Sequence, residues 1–230
     1  MQIEVLADVD AVARQAAAMI ARAARENVAE RGQFVLAVSG GRTPWQMLRA
    51  LATEHVPWEG VHIVQVDERV APAGDPDRNL TNLHASLLEH APIKADQIHA
   101  MPVESNDLVA AAAAYSATLH ELCGTPAVID LVHLGLGPDG HTASLVPGDP
   151  VLNVSNVDVA LTANLYQGRR RMTLTYPILN RARQILWLVT GADKAGPLVQ
   201  LLAGDTAIPA GSVNQAHATV LADKAAAAQL

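Results

Sequence analysis

Four apolar runs divide the chain: Phe34-Val-Leu-Ala-Val38, Val61-His-Ile-Val-Gln-Val66, Val128-Ile-Asp-Leu-Val-His-Leu134 and Gln184-Ile-Leu-Trp-Leu-Val-Thr190. Runs this short and this continuously apolar predict strands covered on both faces. The segments between them follow a different rhythm. Val9, Val12, Ala16, Met19, Ile20, Ala23 and Val28 recur at i, i+3, i+4 across residues 8–31 and stop at Gly32, which predicts an amphipathic helix. Further helices are expected from Thr43 to about His55 with Thr43 as N-cap and Pro44 in the first turn, over 80–90, over 106–123, and from about Asp193 to Leu202. Arg171-Met-Thr-Leu-Thr-Tyr176 alternates as an edge strand does, and the alanine-rich 223–230 is expected to close the chain as a short helix. Strands alternating with helices indicate an α/β fold: a mainly parallel open sheet with helices on both faces, a Rossmann-like three-layer sandwich. No linker, repeat or charge block divides the chain, so residues 1–230 are expected to form a single domain.

Composition narrows the function. Sixteen basic against twenty-three acidic residues give a net charge of -7, and the longest basic cluster is Arg169-Arg170-Arg171. A nucleic-acid or anionic-membrane surface is not expected from this balance, whereas a small basic pocket for a phosphorylated metabolite is compatible with it. Cys123 is the one cysteine, which excludes an intrachain disulfide and points to a cytoplasmic protein. Met1 to Asp8 does not read as a signal peptide, and no apolar run reaches membrane-spanning length. With no long apolar seam, a monomer is expected.

Each apolar strand ends in small and polar residues: Ser39-Gly-Gly-Arg-Thr43, Asp67-Glu-Arg69, Gly135 to Ser144, and Thr190-Gly-Ala-Asp-Lys194. Ligands of open α/β sheets bind outside the carboxyl ends of strands, so these clusters are candidates for one crevice. The amides of Gly40 and Gly41, next to a helix start at Thr43, suit a phosphate, although a tight capped turn accounts for them equally. Gly135, Gly137 and Gly140 match the G-x-G-x-x-G spacing of a dinucleotide loop, but Pro138 lies inside it and Val146-Pro-Gly-Asp-Pro150 would stop the helix such a loop requires. The glycines are expected instead to let the backbone pass close to a ligand while Asp139 and His141 project into the crevice. His141 is the candidate for acid/base work, with Asp139 two residues away. Arg69 and Lys194 are candidates for neutralising a phosphate, and Asp67-Glu68 for a sugar hydroxyl or an ion pair with Arg69. The other eight histidines show no metal-ligand spacing, so no metal is expected.

Taken together, Ser39-Gly-Gly-Arg-Thr-Pro44, Asp67-Glu-Arg-Val70, Gly135-Leu-Gly-Pro-Asp-Gly-His-Thr-Ala-Ser-Leu145, Arg171-Met-Thr-Leu-Thr175 and Gly191-Ala-Asp-Lys194 resemble the 6-phosphogluconolactonase family, which is related in fold to glucosamine-6-phosphate deaminases. The resemblance implies hydrolysis of 6-phosphoglucono-1,5-lactone to 6-phosphogluconate, the second step of the oxidative pentose phosphate pathway, without metal or organic cofactor. It implies His141 as the proton-transfer residue with Asp139 beside it, and substrate or phosphate binding by Ser39, Gly40, Gly41, Thr43, Asp67, Arg69, Arg171 and Lys194. Arg78-Asn79 stands where the family commonly has Ser-Asn, which puts substrate contacts from that loop in question. Two alternatives remain open: a sugar-phosphate deaminase or isomerase of the same superfamily, and a non-catalytic sugar-phosphate sensor. Against the first, Val146 occupies the place of the glutamate in the deaminases' I-A-F-N-E-P-G segment. Against the second, no DNA-binding segment is evident.

Overall fold

The computed structural model describes residues 1–230. Its strands are β1 (Gln2–Leu6), β2 (Phe34–Val38), β3 (Val61–Gln65), β4 (Asp67–Arg69), β5 (Ile98–His99), β6 (Leu131–Gly135), β7 (Val159–Leu161), β8 (Arg171–Leu174), β9 (Gln184–Val189) and β10 (Ala218–Asp223). Its helices are α1 (Val9–Arg31), α2 (Arg42–Leu51), α3 (Asn79–Leu83), α4 (Leu108–Cys123), α5 (Tyr176–Arg181) and α6 (Ala195–Ala203). Seven strands pair in parallel in the order β1-β10-β9-β6-β2-β3-β5. A separate antiparallel sheet has the order β4-β8-β7.

Strand alternation sorts the core into two layers. Phe34, Leu36 and Val38 of β2 pack with α1 and α2, whereas Val35 and Ala37 face the side that carries α4, α5, α6 and the small sheet. The parallel, doubly covered sheet expected from the apolar runs is therefore present, with the small antiparallel sheet in its second outer layer. Helix α1 starts on Asp8, whose carboxylate accepts from Ala11 N–H at 2.8 Å, and ends on Gly32 at φ 78°. No helix is long and apolar enough to cross a membrane.

Several local expectations are corrected. Thr43 is not an N-cap: Gly41 holds that place at φ 130°, and Thr43, buried in the first turn, bonds Thr190 Oγ1 through its own hydroxyl at 2.7 Å. The predicted helix at 80–90 is α3 followed by a π turn over His84–Leu88. Residues 171–174 form the central strand of the small sheet, not an edge. The alanine-rich end makes only turns, because the Asp223 carboxylate takes Ala226 N–H at 2.7 Å and Ala226 is the one buried side chain after it. A segment this short with no face to bury does not repay helix nucleation. Strands β1 and β10 escape the pattern because β1 is an exposed edge and β10, Ala-Thr-Val-Leu-Ala-Asp, is not a continuous apolar run.

At the sheet centre, fully buried His133 accepts from Ser39 N–H through Nδ1 at 3.2 Å, and its carbonyl accepts from Ser39 Oγ at 3.0 Å. Burial pushes the His133 imidazole down to about 3, from 6.5. The folded value lies below the unfolded one, so this histidine's contribution to stability is complete above pH ~6.5 and drains as the pH falls from there toward 3. His133→Asn retains an acceptor for Ser39 N–H. Its urea midpoint is expected to fall less steeply than that of the wild type on acidification below pH ~6.5, and parallel curves would remove His133 as the source.

Candidate active site

The chain runs from β2 outward through β3 to β5, then returns to the other side of β2 with β6, so the order reverses between β2 and β6. Ligand crevices of open α/β sheets lie at that point, outside the strand ends. Two of the predicted clusters flank it, Ser39-Gly40-Gly41 after β2 and the Gly135–Ser144 loop after β6, and the Ser39–His133 bonds tie the two strands together there.

The loop after β6 explains its glycines without a nucleotide. Gly140 N–H donates to Gly137 O at 3.0 Å and Gly137 N–H to His141 O at 2.8 Å, closing a tight turn that no helix follows. A Cβ on Gly137 would overlap the His141 ring, and Gly140 takes φ +79° against Ile208. The glycines thus make room for the histidine. His141 Nδ1 and Asp139 Oδ1 are 2.6 Å apart, and the same carboxylate oxygen accepts His141 N–H at 3.2 Å. Burial opposes ionisation of Asp139, but its bonds with His141 and Tyr166 outweigh this and hold the carboxyl below its ordinary range. With Nδ1 engaged, Nε2 is the ring nitrogen without a protein partner.

A small polar pocket of about 60 Å³ lies next to the loop after β2, where Ser39 and Gly40 meet Asp67, Arg69, Asn79 and Arg171. Ser144 Oγ donates to Asp67 Oδ2 at 2.6 Å, and Arg171 Nη1 lies 3.9 Å from the same oxygen. Burial lowers the Arg171 guanidinium from its ordinary value, an effect that Asp67 opposes. Arg69 Nη1 donates to Asn79 Oδ1 at 2.8 Å and to Asp77 O at 2.6 Å. Nε of both arginines is buried without a partner. Gly40 is required here because a Cβ would run into the Asn79 amide.

Gly41 and Thr43 lie off this pocket, at the start of α2, and Lys194 does not line it either. That helix has no side-chain cap, and its first backbone bond is Trp45 N–H to Gly41 O, so the preceding amides remain available to an anion. The Thr43–Thr190 bond brings the end of β9 to the same point, and Lys194 follows it, held by Asp193 at 2.8 Å. Arg78, the departure from the family's usual Ser, turns inward at 3.5 Å from Glu68 and leaves the site contacts to Asn79.

Three participants have roles that the sequence did not show, among them Glu68, which was a candidate with Asp67 for a sugar hydroxyl or an ion pair with Arg69. Glu68, fully buried, accepts from the backbone N–H of Arg69, Asn79 and Leu80, each at 2.8 Å, and from Gln65 Nε2 at 2.9 Å, which shapes the loop that carries Asn79. Asn79 was noticed only as part of a departure from a pattern. Tyr166 belongs to no motif; the one available signal was a lone aromatic before Gln167-Gly168, a hairpin-turn pair just ahead of a strand. No three His, Cys, Asp or Glu side chains converge as a metal-ligand set. A larger cavity, about 930 Å³, is an apolar groove between α4 and β7 that shares no residue with the polar pocket.

An uncapped helix start, an arginine-lined pocket and an Asp–His pair thus gather at the switch point of an α/β sheet. The family described as glucosamine-6-phosphate isomerases/6-phosphogluconolactonase matches residues 7–222, and the chain belongs to it. A 6-phosphogluconolactonase from Synechocystis sp. is 36% identical over 206 residues, covering 88% of this chain and 85% of that one. Another, from Nostoc sp., is 34% identical over 236 residues, covering 99% and 98%. The crystal structure of 6-phosphogluconolactonase from Thermotoga maritima superposes with a TM-score of 0.87 at 27% identity, covering 96% of this chain and 98% of that one.

Proposed function

We propose that the protein is a 6-phosphogluconolactonase, hydrolysing 6-phosphoglucono-1,5-lactone to 6-phosphogluconate in the pentose phosphate pathway, and that His141 and Asp139 carry the proton transfers. The observation that carries the catalytic part is the 2.6 Å contact between His141 Nδ1 and Asp139 Oδ1. A proton held on Nδ1 leaves Nε2 with its lone pair. Nε2 takes a proton from water as the water oxygen bonds to the lactone carbonyl carbon. When the tetrahedral intermediate collapses, the bond from that carbon to the ring oxygen breaks, and Nε2 returns the proton to the departing oxygen. The products are an acid and a hydroxyl on one open chain, and the imidazole ends as it began. The carboxylate of Asp139 stabilises the transient imidazolium.

The amides of Gly40 and Gly41, the start of α2 with Thr43, and Arg69, Arg171 and Lys194 supply the field for the anionic substrate, while Ser39 and Asp67 offer groups for its hydroxyls. No metal or organic cofactor enters this scheme. Both sheets contribute to the site, so the whole chain acts as one catalytic domain, working as a cytoplasmic monomer. The family includes isomerases, and Val146 argues against that activity here: it is buried and has no group to exchange a proton.

Freshly generated lactone, followed against its spontaneous hydrolysis with glucosamine 6-phosphate in parallel, tests the reaction: acid release above background without ammonia is expected. Arg69→Ala, Arg171→Ala and Lys194→Ala are each expected to raise KM for the phosphorylated lactone about tenfold or more, the loss of a charge-assisted contact, and to do much less to unphosphorylated gluconolactone. Equal losses on both substrates would argue against phosphate contacts.

A further inference from the structure

We infer that Tyr166 is a positioning residue of the proton-transfer site: its hydroxyl holds the Asp139 carboxylate in the orientation that keeps the Nδ1 proton on His141, while its ring supports Arg171. The inference rests on His141 being the base. Tyr166 Oη donates to Asp139 Oδ2 at 3.0 Å, and Asp139 Oδ1 meets His141 Nδ1 at 2.6 Å. Each carboxylate oxygen therefore has its own donor, and the group cannot rotate without losing both. The phenol also lies 3.3 Å from His141 Nδ1, close enough to donate there instead if that nitrogen were bare. Its proton cannot serve both acceptors, so donation to Asp139 and a proton on Nδ1 go together. The rings of Tyr166 and His141 meet edge to face with centroids 5.2 Å apart, which limits the imidazole's swing. Burial first, and then Asp139, push ionisation of the Tyr166 phenol above its ordinary value, so it stays a donor at neutral pH.

The ring has a second contact. The Arg171 guanidinium carbon lies 5.0 Å from its centroid, and Arg171 Nη2 donates to Gln167 Oε1 at 3.0 Å. One turn thus fixes both the proton-transfer pair and an arginine of the polar pocket. That turn is rigid by construction. Tyr166 and Arg169 exchange backbone bonds of 2.9 and 3.3 Å, and Gln167 and Gly168 take φ 53° and 77° as a type I′ hairpin demands. Arg169 then fastens the tip to the opposite loop through Asp75 at 3.0 Å and Asp77 at 3.2 Å. Without the phenol, Asp139, whose side chain is 36% exposed, would turn one oxygen to water.

Two variants separate the two contacts. Tyr166→Phe removes only the hydroxyl, and kcat is expected to fall about tenfold, the loss of one hydrogen bond to a charged group, with KM changed less than about twofold. Tyr166→Leu also removes the aromatic face from Arg171 and is expected to add a severalfold rise in KM for the phosphorylated lactone. Nitrogen NMR of the His141 ring, assigned by its loss in His141→Asn, is expected to report the Nδ1–H tautomer in the wild type and a mixture in Tyr166→Phe. Wild-type kcat together with an unchanged tautomer in Tyr166→Phe would overturn the inference. If the wild-type protein does not hydrolyse the lactone above background, the functional proposal fails, and the tautomer in Tyr166→Phe still decides the role of Tyr166.

Discussion

His141→Asn is expected to fold as the wild type does and to lose about 10²- to 10⁴-fold in kcat on 6-phosphoglucono-1,5-lactone, the range that general acid/base help contributes. The variant suits the geometry. An asparagine amide can donate to Asp139 much as Nδ1–H does, so the loop keeps its hydrogen bond while losing the only lone pair able to accept water's proton and give it back. KM is expected to change little, because the groups proposed to bind the anion, at the start of α2 and around Arg69 and Arg171, lie on other segments of the chain. Steady-state kinetics with a circular dichroism melt checks both halves. Turnover retained in a correctly folded variant would remove His141 as the base, and a collapse in melting temperature would reassign it to structure.

The largest loss of stability is expected from Glu68→Ala. Glu68 is fully buried, and its two oxygens receive three backbone N–H groups and the Gln65 amide, with the Arg78 guanidinium 3.5 Å away. Alanine would leave those donors facing a void and the buried Arg78 charge with only the exposed Glu104 carboxylate, at 3.5 Å, as its partner. Breaking a buried pair from one side costs about 3–5 kcal/mol, which for a chain of this size lowers Tm by roughly 6–20 °C. Glu68→Gln is expected to fall short of that but not to be neutral: both carboxylate oxygens accept, so one end of the amide must set a donor against donors. Calorimetry of the three proteins orders them wild type, Gln, Ala. Equal melting temperatures would show that the carboxylate does not hold the Asn79 loop.

Legibility in the sequence followed the range of the interactions. The four apolar strands and α1 were readable because a continuous apolar run or a helical period is a local pattern, and the caps of α1, Asp8 and Gly32, are local chemistry. The loop motifs marked Ser39, Asp67, Arg69, Asp139, His141 and Lys194 because small and charged residues gather where strands end. Strands β1 and β10 were not readable, since an exposed edge and a run that mixes Thr219 and Asp223 with apolar residues take their structure from pairing with partners far along the chain. Thr43 was misjudged as a cap for the same reason: its hydroxyl is claimed by Thr190, 147 positions away.

The sequence by itself determined the class of fold and marked the strand-end loops and His141 as candidates for chemistry, because hydrophobic period, glycine turns and side-chain ionisation are properties of short stretches. Only the tertiary structure decided what each of these residues touches. Strand order placed the loops after β2 and β6 on either side of the switch point, a hairpin 25 residues beyond His141 brought Tyr166 against Asp139, and Arg78 turned away from the site toward Glu68. Such contacts depend on distances across the sheet and between loops, which no local pattern encodes and which exist only once the core has closed.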